Sequence, residues 1–266
     1  MFDKFNRRIN YLRISVTDRC NLRCVYCMPA EGIQLMEHDE ILSFDEIIDV
    51  VKEAVDQGID KIRITGGEPL VRKGIVDLVR MIAQIKGIKD FGMTTNGIYL
   101  DKFSQPLFDA GLQRINISLD TMDAAKYKAV TRLGDISMVL KGIEAAKKAG
   151  LAPIKINCVI KESSNEKDAQ EVAEFCSNNN LKIRYIREMD LEKGQFWKVQ
   201  GGEGGACQIC NRLRLTSNGK IKPCLFSDLE YDVRELGVKQ AINLALGNKP
   251  KSGTNSLVNK FSNIGG

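Results

Sequence analysis

Short β-branched and apolar runs recur along the chain, and longer amphipathic stretches fill the gaps between them. The runs are YLRISV (11–16), KIRIT (61–65), FGMTT (91–95), RINISL (114–119), IKINCVI (154–160) and KIRYI (182–186). Each has the length and composition of a strand. Between them lie patterns of helical period. The clearest is SFDEIIDVVKEAVDQG, where Ser43 and Glu46 form a capping box. Ile47, Ile48, Val50, Val51 and Val55 share one face there, and Gly58 is the expected stop. ISMVLKGIEAAKKAG repeats the arrangement and ends at Gly150. Strands alternating with helices predict an α/β fold built on a parallel sheet. Such sheets hold their ligands beyond the C-terminal ends of the strands.

The unusual residues of the chain fall at those ends. Cys20 follows the first strand, GGEP (66–69) the second and TTNG (94–97) closes the third. Ser118 and Asp120 end the fourth, Asn157 lies in the fifth, and Arg187 to Met189 follow the sixth. One large site on that rim is expected. After Asp190 the pattern changes to LEKGQFWKVQGGEGG, with four glycines at 201–205, and then to a turn-rich stretch. Residues 1–190 read as the main body and 191–266 as a small appendage stapled by metal. The tail, KFSNIGG, reads on its own as disordered.

Composition limits the options. A chain of 266 residues is large enough for one or two domains with a core of their own. It contains no run of about eighteen apolar residues, so no membrane span is expected. The N-terminal MFDKFNRRIN lacks an apolar signal core, and a cytoplasmic location is expected. The net charge of +5 suits an anionic small molecule about as well as a weak nucleic-acid contact. Eight cysteines stand against a single histidine, His38, which disfavours mixed Cys/His zinc sites and a histidine base.

Six of those cysteines form two groups of three. Cys20, Cys24 and Cys27 have C-x3-C-x2-C spacing, and Cys207, Cys210 and Cys224 have C-x2-C-x13-C spacing. Structural zinc wants four ligands. An iron–sulfur cluster held by three thiolates keeps one iron open for another ligand. Cys158, within a strand, and Cys176, within a helix, read as packing thiols.

The C-x3-C-x2-C loop resembles the signature of the radical S-adenosylmethionine (SAM) superfamily. That resemblance implies a partial (βα)6 TIM-type barrel with a small C-terminal iron–sulfur appendage. It implies a [4Fe–4S] cluster on Cys20, Cys24 and Cys27 whose open iron chelates SAM. GGEP looks like the loop that receives the SAM amino group, with Gly67 allowing close approach and Glu68 accepting from the ammonium. Thr94, Ser118 and Met189 match positions that contact the carboxylate, ribose and adenine of SAM in relatives. Tyr26 matches an aromatic residue that packs over the cluster.

Basic residues alternate with apolar ones in several strands. Arg13, Lys61, Arg63, Lys155, Arg184, Arg212 and Arg214 share the inward face if the sheet curves into a barrel. Inward cations are costly unless an anion meets them, and such pairs suit phosphate. The other reading places them on the outer face or in internal ion pairs. No G-x-x-x-x-G-K-[ST] loop occurs. The full set, from YLRISVTDRCNLRCVYCMP to CNRLRLTSNGKIKPCLF and the terminal Gly265–Gly266, closely resembles the GTP 3',8-cyclase family of molybdenum cofactor biosynthesis. That resemblance implies GTP in the basic cavity and a second [4Fe–4S] cluster whose open iron holds the guanine edge. It associates Gly265 and Gly266 with completing the active site. It also implies a flavodoxin- or ferredoxin-type electron donor and a downstream pterin-forming enzyme, with no nucleic-acid partner, and it allows a homodimer. The segment from Met189 to Cys207 is shorter than in the bacterial members, which removes part of a barrel wall. The alternative is another radical SAM enzyme with an auxiliary cluster, acting on a different nucleotide or maturing a peptide. A third class, an iron–sulfur electron carrier, is disfavoured by the GGEP loop.

Overall fold

A computed structural model describes residues 1–264 of the chain. The six expected strands are present as β1 (Tyr11–Ser15), β2 (Lys61–Thr65), β3 (Asp90–Thr95), β4 (Arg114–Ser118), β5 (Ile154–Ile160) and β6 (Lys182–Arg187). All are parallel, each paired with the next in chain order. Alternation along each strand divides the sheet into two faces. Leu12, Ile14, Ile62, Ile64, Phe91, Met93, Ile115, Ile117 and Ile156 pack into one hydrophobic core with the crossover helices. These are α1 (Phe44–Asp56), α2 (Ile75–Ala83), α3 (Leu100–Asp109), α4 (Ala124–Thr131), α5 (Ile136–Ala149) and α6 (Lys167–Asn178). The other face carries the charged residues.

The local signals act as read. The Ser43 hydroxyl accepts from the Glu46 N–H at 3.2 Å, and the Glu46 carboxylate accepts from the Ser43 N–H at 2.7 Å. Gly58 follows the end of α1 at φ +101°, a conformation that costs glycine least. Gly150, at φ +90°, caps α5. Cys158 and Cys176 are buried in the core.

The chain beyond residue 190 does more than hang from the sheet. Two isolated bridges, Asp190–Gln195 and Tyr185–Gln200, fold the glycine-rich connection back along β6. Strand β7 (Arg212–Leu215) then pairs in parallel with the far edge of β1. β8 (Lys220–Lys222) and β9 (Tyr231–Asp232) continue the same sheet in antiparallel fashion. Helices α7 (Val233–Leu236), α8 (Val238–Gly247) and α9 (Phe261–Ile264) complete the described chain. Leu213, Leu215, Ile221, Ala241 and Ile242 join the main core, and Leu191, Leu225, Phe226 and Ile264 form a small second one. Among the described residues no helix is long and apolar enough to cross a membrane.

The cap of α1 is tied to the C-terminal region by Arg234, whose Nε lies 2.7 Å from Glu46. Ser43→Ala should lower stability by about 1 kcal/mol, read from the urea midpoint. Arg234 holds the Glu46 carboxyl down at about 2, against an ordinary value of 4.5, with burial opposing and the Ser43 N–H assisting. A depressed acid stabilises the fold above its unfolded value and loses that contribution as pH falls. The stability gap between the parent and Glu46→Gln should therefore be full above pH 4.5 and shrink toward pH 2. A gap independent of pH would contradict the ion pair.

Candidate active site

The loop after β1 carries the first three thiols, and three neighbouring segments hold it. The Cys24 carbonyl accepts from the N–H groups of Cys27 and Met28, at 2.9 and 3.1 Å. Arg132, beyond α4, donates to the Arg23 and Met28 carbonyls at 2.7 and 2.9 Å. From the third strand's loop, Asn96 Nδ2 donates to Asn21 Oδ1 at 2.8 Å. Tyr26 donates its hydroxyl to Asp120 at 2.8 Å, and Asp120 also accepts from the Val159 N–H at 2.8 Å. Burial drives the Asp120 carboxyl up to about 6.

The two glycines of GGEP have a packing role beside the close approach expected of them. A Cβ on Gly67 would stand 2.3 Å from the Arg19 carbonyl oxygen, and one on Gly66 would stand 2.8 Å from that of Thr17. The glycines let this loop lie against the cysteine loop, with Gly67 and Glu68 N–H donating to Thr17 and Arg19 at 2.7 and 2.8 Å. Glu68 is buried and already accepts from Leu70 N–H, Thr95 Oγ1 and Asn96 N–H at 3.0, 2.7 and 2.7 Å. Burial still raises its carboxyl to about 7.

These elements enclose a cavity of about 200 Å³. Cys20, Cys24, Cys27, Tyr26, Gly67, Glu68, Thr94, Ser118 and Met189 all line it, so the structure gathers every residue expected there from the sequence. Thr94 Oγ1 and Asn157 Oδ1 are buried on its wall with no hydrogen-bond partner among the described residues. Such atoms cost about 1–3 kcal/mol each unless a ligand meets them. Burial pushes the Cys20 thiol up to about 11 and the Cys24 and Cys27 thiols up to about 12. Only a bound metal centre makes thiolates of them near neutral pH. Three thiols facing one cavity without a fourth fit a cluster with an open iron.

A second cavity, of about 440 Å³, lies deeper, and Asn157, Ile186 and Met189 line both. All seven basic residues named from the sequence line it, and Arg114 is an eighth. The parallel register explains the gathering. Arg214, Arg13, Arg63, Gly92 and Arg114 are successive lateral partners across β7, β1, β2, β3 and β4. Arg212, Tyr11, Lys61 and Asp90 form the neighbouring row. Burial, then Arg184, Arg114 and Arg63, bring Lys155 down to about 8. Burial, then Arg13 and Arg212, bring Arg214 down to about 9. Burial alone would raise the Tyr11 phenol, but Arg13, Arg63 and Arg212 outweigh it and bring it to about 7. Few acids offset this field. Asp90 pairs with Arg114 and lies 3.7 Å from Lys61. The short 196–206 segment supplies a wall after all, through Phe196, Trp197, Val199 and Gly201 to Gly205.

The second thiol group closes the far end of this cavity. Cys207, Cys210 and Cys224 line it together. Cys207 Sγ accepts from the Ser252 hydroxyl at 3.4 Å. Burial raises the Cys210 thiol, but Lys249 together with the Arg212 N–H and charge outweighs it, and the net shift is downward. Burial prevails at Cys224, whose thiol is raised. Among the described residues no three Cys, His, Asp or Glu side chains converge on the position of a single metal ion. Three thiols on one cavity are a donor set that fits a cluster with one open iron. Gly265 and Gly266 lie outside the described residues.

Sequence reasoning passed over Tyr11, Gly92, Arg114 and Asn116. Tyr11 looks like ordinary strand core, and Arg114 lies at a strand end. Gly92 is legible only through register. A Cβ there would stand 2.4 Å from Arg63 Nη1 and 2.8 Å from the Arg114 carbonyl. Gly92→Ala should therefore expel Arg63 from the cavity and weaken nucleoside triphosphate binding by about 1–3 kcal/mol in calorimetry. In a double-mutant cycle, Gly92→Ala should add almost nothing to Arg63→Ala. Additive losses would mean that Gly92 acts elsewhere.

The comparisons agree with this geometry. A family model for the radical SAM superfamily matches residues 14–176. The GTP 3',8-cyclase of Thermodesulfovibrio yellowstonii is 43% identical over 282 residues, covering 89% of this chain and 88% of that protein. The GTP 3',8-cyclase of Alkaliphilus oremlandii is 42% identical over 275 residues, covering 88% and 86%. Among solved structures, Streptococcus suis SuiB bound to S-adenosylmethionine aligns with a TM-score of 0.66 at 16% identity, over 92% of this chain and 66% of that one. At that identity the likeness carries the fold alone. Motif, cavity and relatives converge: the chain belongs to the radical SAM superfamily and, within it, to the GTP 3',8-cyclase family.

Proposed function

We propose that the chain is a GTP 3',8-cyclase, converting GTP to 3',8-cyclo-7,8-dihydro-GTP in the first step of molybdopterin biosynthesis. One observation carries the reading: a cavity lined by eight basic side chains shares a wall with a cavity lined by three thiols. Cys20, Cys24 and Cys27 would hold a [4Fe–4S] cluster, with SAM against Tyr26, Gly67, Glu68, Thr94, Ser118 and Met189. Bound there, the two supply the one-electron chemistry for hydrogen-atom abstraction.

The rest falls to the chain's own residues. Arg13, Lys61, Arg63, Lys155, Arg184, Arg212 and Arg214 take the triphosphate, and Arg114 contributes while paired with Asp90. The shared wall of Asn157, Ile186 and Met189 puts the ribose beside the SAM pocket. Cys207, Cys210 and Cys224 would hold a second [4Fe–4S] cluster, and an iron without a thiolate leaves room for the guanine edge. Phe196, Trp197 and Phe226 limit water at that end. The electron donor is a flavodoxin or ferredoxin, a pterin-forming enzyme takes the product, and both the chain and its partners work in the cytoplasm.

Anaerobic reconstitution should give about eight iron per chain. Replacing Cys20, Cys24 and Cys27 by Ala should roughly halve the iron and abolish SAM cleavage. With SAM and dithionite, mass spectrometry should find a cyclised product from GTP and none from ATP. Four iron in the parent, or zinc on the second group, would rule out the two-cluster reading. Arg212→Ala and Lys155→Ala should each weaken GTP binding by about 1–3 kcal/mol. Unchanged affinity in both would remove the triphosphate from the basic cavity.

A further inference from the structure

Lys249, just beyond α8, is a buried cation outside the triphosphate cavity, only 1% exposed. Its ammonium donates to the carbonyls of Arg212 and Pro223 at 2.7 and 2.5 Å. Those residues flank two of the second group's thiols: Arg212 lies two past Cys210, and Pro223 immediately precedes Cys224. Burial lowers its proton affinity, and Cys210, within hydrogen-bonding reach, and Cys224 oppose that shift. No carboxylate pairs with Lys249 among the described residues. Arg7 secures the same region from the other side. Paired with Asp3 at 2.6 Å, it donates to the carbonyls of Cys207, Pro250 and Lys251 at 2.7, 2.7 and 3.0 Å.

A buried ammonium bonded mainly to neutral carbonyls is costly, and a nearby negative group offsets the cost. Packing alone would be met by an apolar side chain of similar length. Thiolates holding a metal cluster are the negative group this position faces. A cation beside such a cluster favours its reduced, more negative state, because the potential follows net charge and hydrogen bonding around the sulfurs. We propose that Lys249 is a positioning residue for the second cluster, tying the Cys210 and Cys224 segments together and raising the reduction potential of the group they hold. This rests on the two-cluster reading above.

The test uses the full chain with Cys20, Cys24 and Cys27 replaced by Ala, so that only the second group can hold iron. Lys249→Gln keeps N–H donors but removes the charge, and Lys249→Arg keeps the charge. Iron content, thermal unfolding and the midpoint potential from an EPR-monitored redox titration are measured for each. The expected result is a negative shift in Lys249→Gln and a potential near the parent's in Lys249→Arg. Loss of iron from a Lys249→Gln chain that still unfolds at the parent's temperature, restored in Lys249→Arg, also supports the assignment. An unchanged potential in Lys249→Gln, or an equal shift in both variants, overturns it. If Lys249→Gln fails to fold, a Lys249→Arg chain whose potential falls below the parent's overturns it, and one that keeps the parent's potential supports it. If the chain with Lys249 intact holds no iron, the two-cluster reading itself fails, and the role of Lys249 falls with it.

Discussion

Like charges forced side by side are the constraint on which this structure turns. Parallel register sets Arg214, Arg13 and Arg63 on adjacent strands, which are about 4.8 Å apart. At an effective dielectric near 20, unit charges about 5 Å apart repel by about 3 kcal/mol. Burial first, and that repulsion second, depress the proton affinities of Lys155 and Arg214. A chain selected for stability alone would fill such a face with apolar residues. Keeping the cations makes sense where a polyanion enters and converts the repulsion into binding. The same strain gives selectivity, because a ligand with fewer charges relieves less of it.

The two thiol groups sit in opposite fields. At the first, burial drives all three thiols up, and Glu68 adds to this at Cys20 and Asp120 at Cys24. At the second, Lys249 and Arg212 outweigh burial at Cys210, whereas burial prevails at Cys224. An acidic surrounding disfavours added negative charge and so favours giving an electron away. A basic one favours retaining negative charge and attracting electron-rich ligands. Equivalent sets of three thiols are thus biased toward different tasks by their neighbours.

Much of this was legible in the sequence, for identifiable reasons. Period two in KIRIT and RLRL put Lys61, Arg63, Arg212 and Arg214 on one face once a strand was assumed. The Ser43–Glu46 cap and the glycines at 58 and 150 are local signals, and they fixed helix ends. What escaped depends on partners far along the chain. β7 is only four residues long, and although RLRL alternates, its place beside β1 follows only from packing. Tyr11 and Gly92 acquire meaning through lateral neighbours 50 and 29 residues distant, Lys61 and Arg63. The GGEP glycines were read toward a ligand, while their Cβ positions are blocked by the Thr17–Arg19 backbone.

The second thiol group is the part of the molecule most dependent on distant contacts. Arg7 reaches Cys207, Pro250 and Lys251 across sequence separations of 200, 243 and 244 residues. β7 joins β1 at the edge of the parallel run opposite β6, the strand that precedes it in the chain. Contacts of such separation carry the largest loop-closure cost and are gained late in folding. The first thiol loop is different, since its partners at Gly66–Glu68, Asn96, Asp120 and Arg132 belong to the connections of the first four strands. It can be shaped while the C-terminal region is still unfolded. The basic cavity is closed off only when β7 docks, and that step also delivers Cys207, Cys210 and Cys224 to its end. Arg212, Arg214 and the three thiols that complete the basic cavity therefore depend together on one segment, whose docking on β1 is separate from the contacts that shape the first site.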